Sequence, residues 1–204
     1  MRSPWHHSAQ VPVYIINIHT RQASNPVTSR PGPVTVALSP FAVDPASAVR
    51  RLDVRVARPV PAQLVLEYEL VGDLSRIRIA AGGSDDLWRH TCMEVFVGAT
   101  PAAPYLEFNF APDGRWAAYR FSGYRAGMEP LTGIRPPRIE LRTQSDRLLL
   151  SADVELPAAP AATGLHLGIT AVVENADGKL EYWALRHVRP KPDFHHSDSF
   201  GFEI

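Results

Sequence analysis

Three segments of the chain alternate apolar and polar side chains with a period of two: residues 92–97 (CMEVFV), 105–110 (YLEFNF) and 116–121 (WAAYRF). That period places successive side chains on opposite faces of an extended strand. In the second segment Leu106, Phe108 and Phe110 share one face, and Tyr105, Glu107 and Asn109 share the other. The first is a core face. The second carries hydrogen-bonding groups beside an aromatic ring, which suits a polar ligand better than a dry core.

The same alternation recurs on both sides of this block. Residues 52–58 alternate, and over 63–71 Leu64, Leu66, Tyr68 and Leu70 face one way with Glu67 and Glu69 opposed. A short strand is expected at 77–79, then strands at 138–143, 148–156, 165–174 and 180–185. Asn175 to Gly178 reads as the hairpin turn between the last two, with Gly178 free to take positive φ. Residues 42–50 read as a helical turn or a loop. Residues 80–86, the proline-broken 157–163 and the tail up to Phe200 read as loops. The total is about ten short strands with no long helical pattern, and no internal repeat is evident. This predicts an all-β fold, an antiparallel sandwich of jelly-roll type. A doubly wound α/β fold is disfavoured because helical patterns between strands are missing.

Residues 1–38 are expected to be a flexible leader, with the domain over 39–204. The apolar piece at 13–18 leaves two alternatives open, an added edge strand or a cryptic export signal. It lacks a clear signal-peptide h-region and cleavage site, so a cytoplasmic location is expected.

Composition then removes function classes. Lys+Arg and Asp+Glu are equal at 21 each, which argues against nonspecific nucleic-acid binding and against a polybasic membrane surface. No apolar run approaches the ~20 residues of a membrane-spanning helix. The single cysteine, Cys92, excludes an intrachain disulfide framework. In its alternating context it reads as a buried small hydrophobe rather than a nucleophile. There is no phosphate-binding glycine loop and no nucleophile elbow.

The candidate chemistry concentrates in residues 85–127, which hold two of the four tryptophans and three of the six tyrosines. Trp88 stands at a loop-to-strand junction, preceded by Asp85 and Asp86 and followed by Arg89, His90 and Thr91. An isolated tryptophan is more often core, and that reading holds for Trp116 and Trp183 as well. Beside so many polar groups, however, Trp88 is well placed to stack on a ligand. Sugar rings present apolar C–H faces and hydroxyl rims, which an aromatic face edged by Arg, Asn and Glu matches. Arg115, Arg120 and Arg125 lie on or beside the third strand, with a solvated surface charge as the alternative for each. Glu94 and Glu107 suit sugar hydroxyls as acceptors; as a glycosidase pair they would be judged by their separation, which a sequence does not contain. In the tail, His195 and His196 stand between Asp193 and Asp198. Adjacent histidines on an extended chain point apart and match no zinc spacing, so hydrogen bonding or ligand contact is expected there, and no metal.

Residues 87–96 (LWRHTCMEVF) and 105–116 (YLEFNFAPDGRW), with 121–128 and 191–196, resemble the DOMON-like superfamily, which includes family-nine carbohydrate-binding modules. They are most similar to a bacterial MurB-like DOMON subgroup. The resemblance covers residues 40–204. It implies a β-sandwich with a ligand pocket on one sheet. In the family-nine modules a tryptophan and a glutamate separated by five residues belong to the sugar site, and Trp88 and Glu94 stand at that spacing. Trp183 or Tyr182 would then close the sugar from the other side. Haem-binding DOMON domains use methionine and histidine axial ligands; Met93 alternates away from Glu94 toward the core, which disfavours haem. The carbohydrate modules also hold structural calcium, for which no acidic loop stands out here.

The resulting expectation is a non-catalytic domain that binds a small polar ligand of saccharide type, with no other cofactor and oligomeric state left open. Its candidate ligand-binding residues are Trp88, Arg89, His90, Glu94, Tyr105, Glu107, Asn109, Trp116, Arg120, Trp183 and His195. Two alternatives are a hydrolase or lyase using Glu94, Glu107 and His195 as acid and base, and a protein–protein adaptor using an exposed sheet. An enzyme requires the carboxylates to converge with His195. A binding module requires an aromatic shelf with polar groups around it. An adaptor requires a flat apolar patch without a pocket.

Overall fold

A computed structural model describes residues 32–79, 86–101, 104–158 and 164–204. The leader segment at 13–18 and the loop 80–85 lie outside the described residues. Residues 31–204 form one compact unit. Within it two antiparallel sheets contain thirteen strands among the described residues. The first has the order β1 (Val34–Ala37), β3 (Val49–Ala57), β4 (Gln63–Gly72), β10 (Arg147–Glu155), β9 (Arg138–Thr143). The second runs β2 (Ser39–Pro40), β12 (Leu180–Ala184), β11 (His166–Glu174), β5 (Cys92–Gly98), β6 (Tyr105–Phe110), β7 (Trp116–Phe121), β8 (Glu129–Pro130), and β13 (Phe202–Glu203) pairs with β11.

The expected all-β sandwich is therefore present. Several strands match the sequence pattern to the residue, including 105–110, 116–121 and 138–143. The extra strands, β2, β8 and β13, are two-residue pairings too short to show a period, and β1 lies at the sheet edge. The expected strand at 77–79 is reduced to a single bridge from Ile77 to Asn175. Val34 to Ala37, within the segment expected as leader, pair with Val56 to Asp53.

Packing explains the alternation. On β4 every second residue is buried, and Leu64, Leu66, Tyr68 and Leu70 enter the core between the sheets. Leu52, Val54 and Val56 from β3 join them, as do Leu148, Leu150 and Ala152 from β10. From the second sheet come Met93, Val95, Leu106, Phe108, Phe110, Ile169 and Ala171. Each fully buried side chain of this size contributes about 1.5–3 kcal/mol by leaving water. Tyr68 crosses the core to donate to the Glu94 carbonyl at 2.7 Å, which satisfies its hydroxyl where water is absent.

The two sheets differ on their outer faces. The first carries exposed charge ladders such as Arg147–Glu69 at 2.6 Å. In the second, β5, β6 and β11 are buried or nearly so on both faces. The cover is the C-terminal segment, whose Phe194 and Phe200 pack with Phe96, Tyr105, Phe121 and Val172 in a separate apolar cluster. A glycine makes that approach possible. A Cβ on Gly168 would stand 3.3 Å from the Phe96 Cβ and 3.5 Å from the Ser199 carbonyl. At the β11–β12 hairpin, Gly178 takes φ of 85° as the turn requires.

Candidate functional site

The outer face of the second sheet is not covered completely. Where the C-terminal segment leaves it, a cavity of about 400 Å³ remains, within the usual range for small-ligand sites. Its floor follows from strand register. Glu94 on β5 lies directly opposite Thr170 on β11 and Asn109 on β6. In the next row Phe96 lies opposite Glu107, and Glu107 opposite Tyr119. Glu94 and Glu107 are thus diagonal neighbours on one face, a relation that typically puts Cβ atoms about 7 Å apart.

Both carboxyl groups are buried, Glu94 to 2% exposure and Glu107 to 5%. Glu94 Oε2 accepts the Thr170 hydroxyl at 3.0 Å. Glu107 Oε1 accepts the Asn109 amide at 2.7 Å. Burial, and then the neighbouring Glu107 carboxylate, push Glu94 up to about 8, against the opposing Thr170 bond. Burial also raises Glu107, but the Asn109 bond and the Arg125 charge oppose it. Glu94, pushed up to about 8, holds a proton at neutral pH and can donate it, while Glu107 Oε1 accepts the Asn109 amide.

His195 closes one side. Its Nδ1 is 2.8 Å from the Tyr105 hydroxyl, and its Nε2 is 4.0 Å from Glu107 Oε2. Tyr105 Oη also accepts the Arg125 backbone N–H at 3.3 Å. Burial lowers His195 to about 4, with the Arg125 charge acting in the same direction. The ring is neutral, and assigning the Tyr105 proton to Nδ1 puts the Nε2–H on the Glu107 side. The His195 segment is strapped in place through Asp193, which takes the Tyr124 hydroxyl at 2.6 Å and the Arg125 guanidinium at 3.0 Å. Arg125 has φ of 50°, a left-handed turn residue that non-glycine side chains enter only at a cost.

The rim is the 3₁₀ turn Leu87–Arg89. Leu87 anchors it by burial against Cys92 and Ala111. Trp88 meets Tyr119 edge to face with ring centroids 5.8 Å apart and lines the cavity beside Arg89. Phe96, Phe121, Tyr182 and Phe194 supply the other aromatic walls.

The structure brings together Trp88, Arg89, Glu94, Glu107 and His195 at the cavity, with Tyr105 and Asn109 directly behind them through hydrogen bonds. It turns three others away. Trp183 pairs with Ala171 and is buried in the core between the sheets. Trp116 pairs with Phe110 and packs on the same core. Arg120 pairs with Leu106, so it shares that strand face and not the face of Glu107, and it is exposed. In each case strand parity decides the face. His90 points behind the rim, where its Nδ1 is 2.7 Å from Glu174 Oε2; Arg78 holds the other oxygen at 3.0 Å. That pair fixes the turn carrying Trp88. Thr170, Phe96, Phe121, Phe194 and Met128 were not legible as site residues, although the period-two pattern aligned Phe96 with Glu94. Met93 and Cys92 are both fully buried, as their alternation predicted. Among the described residues no group of three His, Cys, Asp or Glu is placed to hold a metal ion.

No family model matches the chain. No curated protein matches it significantly. Among solved structures it is similar to a protein from Bacteroides uniformis ATCC 8492, provisionally described as carbohydrate-binding, at 14% identity and a TM-score of 0.59 over 83% of this chain and 84% of that one. At that identity the likeness concerns the fold.

Proposed function

We propose that this domain binds a small polar ligand of the saccharide class in the cavity on its second sheet. The observation that carries the reading is the combination of aromatic walls with a floor of directional polar groups. Trp88 and Tyr182 offer ring surfaces to the C–H face of a sugar. Neutral Glu94 offers a donor, Glu107 an acceptor, and His195 Nε2–H a further donor. The fold likeness to a protein provisionally described as carbohydrate-binding supports the same reading, as does the resemblance of residues 87–96 and 105–116 to DOMON-like domains. The adaptor reading asked for a flat apolar patch, whereas this face has a cavity.

A second reading has its own observation. Glu94, Glu107 and His195 converge in one pocket, and burial keeps the Glu94 carboxyl protonated at neutral pH, as a general acid requires. Binding and turnover are separated by one experiment. A calorimetric and thermal-shift screen over saccharides and cell-wall precursors is followed by product analysis of each hit. A hit that binds and is recovered unchanged supports the binding domain. A hit that is cleaved or eliminated, with loss of turnover but not of affinity in Glu94→Gln, replaces it with the enzyme.

A further inference from the structure

The cavity floor presents two carboxyl groups, each with one oxygen that no donor among the described residues reaches. Glu94 Oε2 accepts from Thr170, and its Oε1 has no protein partner among the described residues. Among the described residues Glu107 Oε2 has no hydrogen-bond donor; His195 Nε2 is 4.0 Å away, and that imidazole is neutral at neutral pH. The two guanidinium groups at the cavity are each ion-paired to an aspartate, and neither donates a hydrogen bond to Glu94 or Glu107, although the Arg125 charge reaches Glu107. Arg125 is held by Asp193 at 3.0 Å, and Arg89 by Asp86 at 2.9 Å. Glu94 and Glu107 both line the cavity, so their two open oxygens are free to accept from a ligand donor there.

The walls point to the same kind of guest. Trp88, Phe96, Phe121, Tyr182 and Phe194 surround the floor. Aromatic faces are electronegative and attract organic cations, most strongly where water is excluded. A neutral sugar uses such walls through its C–H face, whereas an ammonium also meets both open carboxyl oxygens. A metal cation would need three or more hard donors, and no such group exists among the described residues.

We propose that the cavity takes a ligand bearing a protonated amino group, seated against Glu94 and Glu107 beneath the aromatic walls. On the saccharide reading above, on which this part rests, the ligand is an amino sugar. The ammonium replaces the proton that Glu94 carries in the free protein, so that proton passes to the buffer on binding. The titratable and charged groups facing the pair are Cys92 on β5, Tyr105 on β6, Tyr68 from β4, and His195, Arg125 and Asp193 from the covering segments. Cys92 and Tyr68 are pushed up by burial and stay protonated. Glu94, at about 8 in the free protein, is poised to release a proton near neutrality.

The test is titration calorimetry at pH 7 on the full chain, in two buffers of different ionisation enthalpy. The probes are the β-linked disaccharides of glucosamine, N-acetylglucosamine and glucose, together with choline. The glucosamine disaccharide is expected to bind at least tenfold tighter than the other two sugars, with proton release shown by buffer-dependent heat. Glu107→Gln should erase that preference. If the glucose disaccharide binds as tightly as the glucosamine one, the cation inference is overturned and the sugar reading stands. Choline binding with no sugar bound sustains the cation site and removes the saccharide. Silence from every probe overturns both. Should Glu107→Gln fail to fold, the buffer dependence of the unaltered protein still decides.

Discussion

The Tyr105 hydroxyl stands 2.8 Å from His195 Nδ1, and this contact decides how the imidazole meets the cavity. The hydroxyl also accepts the Arg125 N–H, and we assign its own proton to Nδ1. The remaining N–H then faces Glu107. Tyr105 also stacks on Phe121 with ring centroids 4.8 Å apart. Tyr105→Phe keeps that stack and removes the hydroxyl. It should cost about 1–3 kcal/mol of stability, the usual consequence of stranding a buried polar group, measured by denaturant unfolding. A nitrogen-15 spectrum of His195 should show the single tautomer of the native protein become a mixture. A spectrum unchanged by the substitution would disprove the assigned direction of this bond.

The tryptophans separate site from core. Trp88 is half-buried at the cavity rim, whereas Trp183 is 4% exposed within the core. Trp88→Ala should weaken binding of a screened ligand about tenfold to a hundredfold, equivalent to ~1–3 kcal/mol, with little change in melting temperature. Trp183→Ala should cost about 3–5 kcal/mol of stability through its cavity. Calorimetry and denaturant titration on the two variants check the contrast, and the reverse pattern would exchange their roles.

Stability should depend on pH in two opposed ways. Glu94 is raised from 4.5 to about 8 in the folded protein. Between those values the folded state holds a proton that the unfolded state has lost, so stability falls as pH rises through that window. His195 is lowered from 6.5 to about 4. There the unfolded state binds the extra proton, so stability rises with pH between 4 and 6.5. The two slopes oppose one another below 6.5; above 6.5 the His195 slope has ended and the Glu94 decline continues to about 8. Glu94→Gln, which imitates the protonated carboxyl, should flatten that decline. The variant should exceed the native protein at pH 8 by at least about 1 kcal/mol, measured by urea titration across the range. Equal decline in both proteins would place the raised group elsewhere.

The position of β1 makes a truncation informative. A chain beginning at residue 31 retains Val34 to Ala37 and their pairing with β3. We expect its melting temperature to lie within a few degrees of the full chain, a loss below about 1 kcal/mol. A chain beginning at residue 39 exposes the edge of β3 and should melt lower and aggregate more readily. Thermal melts with light scattering on both chains check this. Failure of the longer chain to fold would assign the first 30 residues a structural part.

The alternation of Leu106, Phe108 and Phe110 with Tyr105, Glu107 and Asn109 was enough to fix both faces of β6, because a strand offers each side chain only two directions. The same rule buried Met93 and left Glu94 on the opposite face. Sequence also marked Trp88 as a rim residue, since its polar neighbours are adjacent in the chain. Which strands lie beside which was decided only in three dimensions. Thr170 lies 76 residues from Glu94, yet register places it directly opposite. Pairing partners at such distances are chosen by the total burial of both sheets, which no local pattern reports. The same holds for the faces of Trp116, Arg120 and Trp183. Their parity was legible, but it says nothing of which face meets the core until the neighbouring strand is known. The cavity itself arises because Phe194 and Phe200 cover the sheet while the acidic floor beside them stays open. That division depends on where a long segment without a period comes to rest, and it is set by the shape of the surface beneath it.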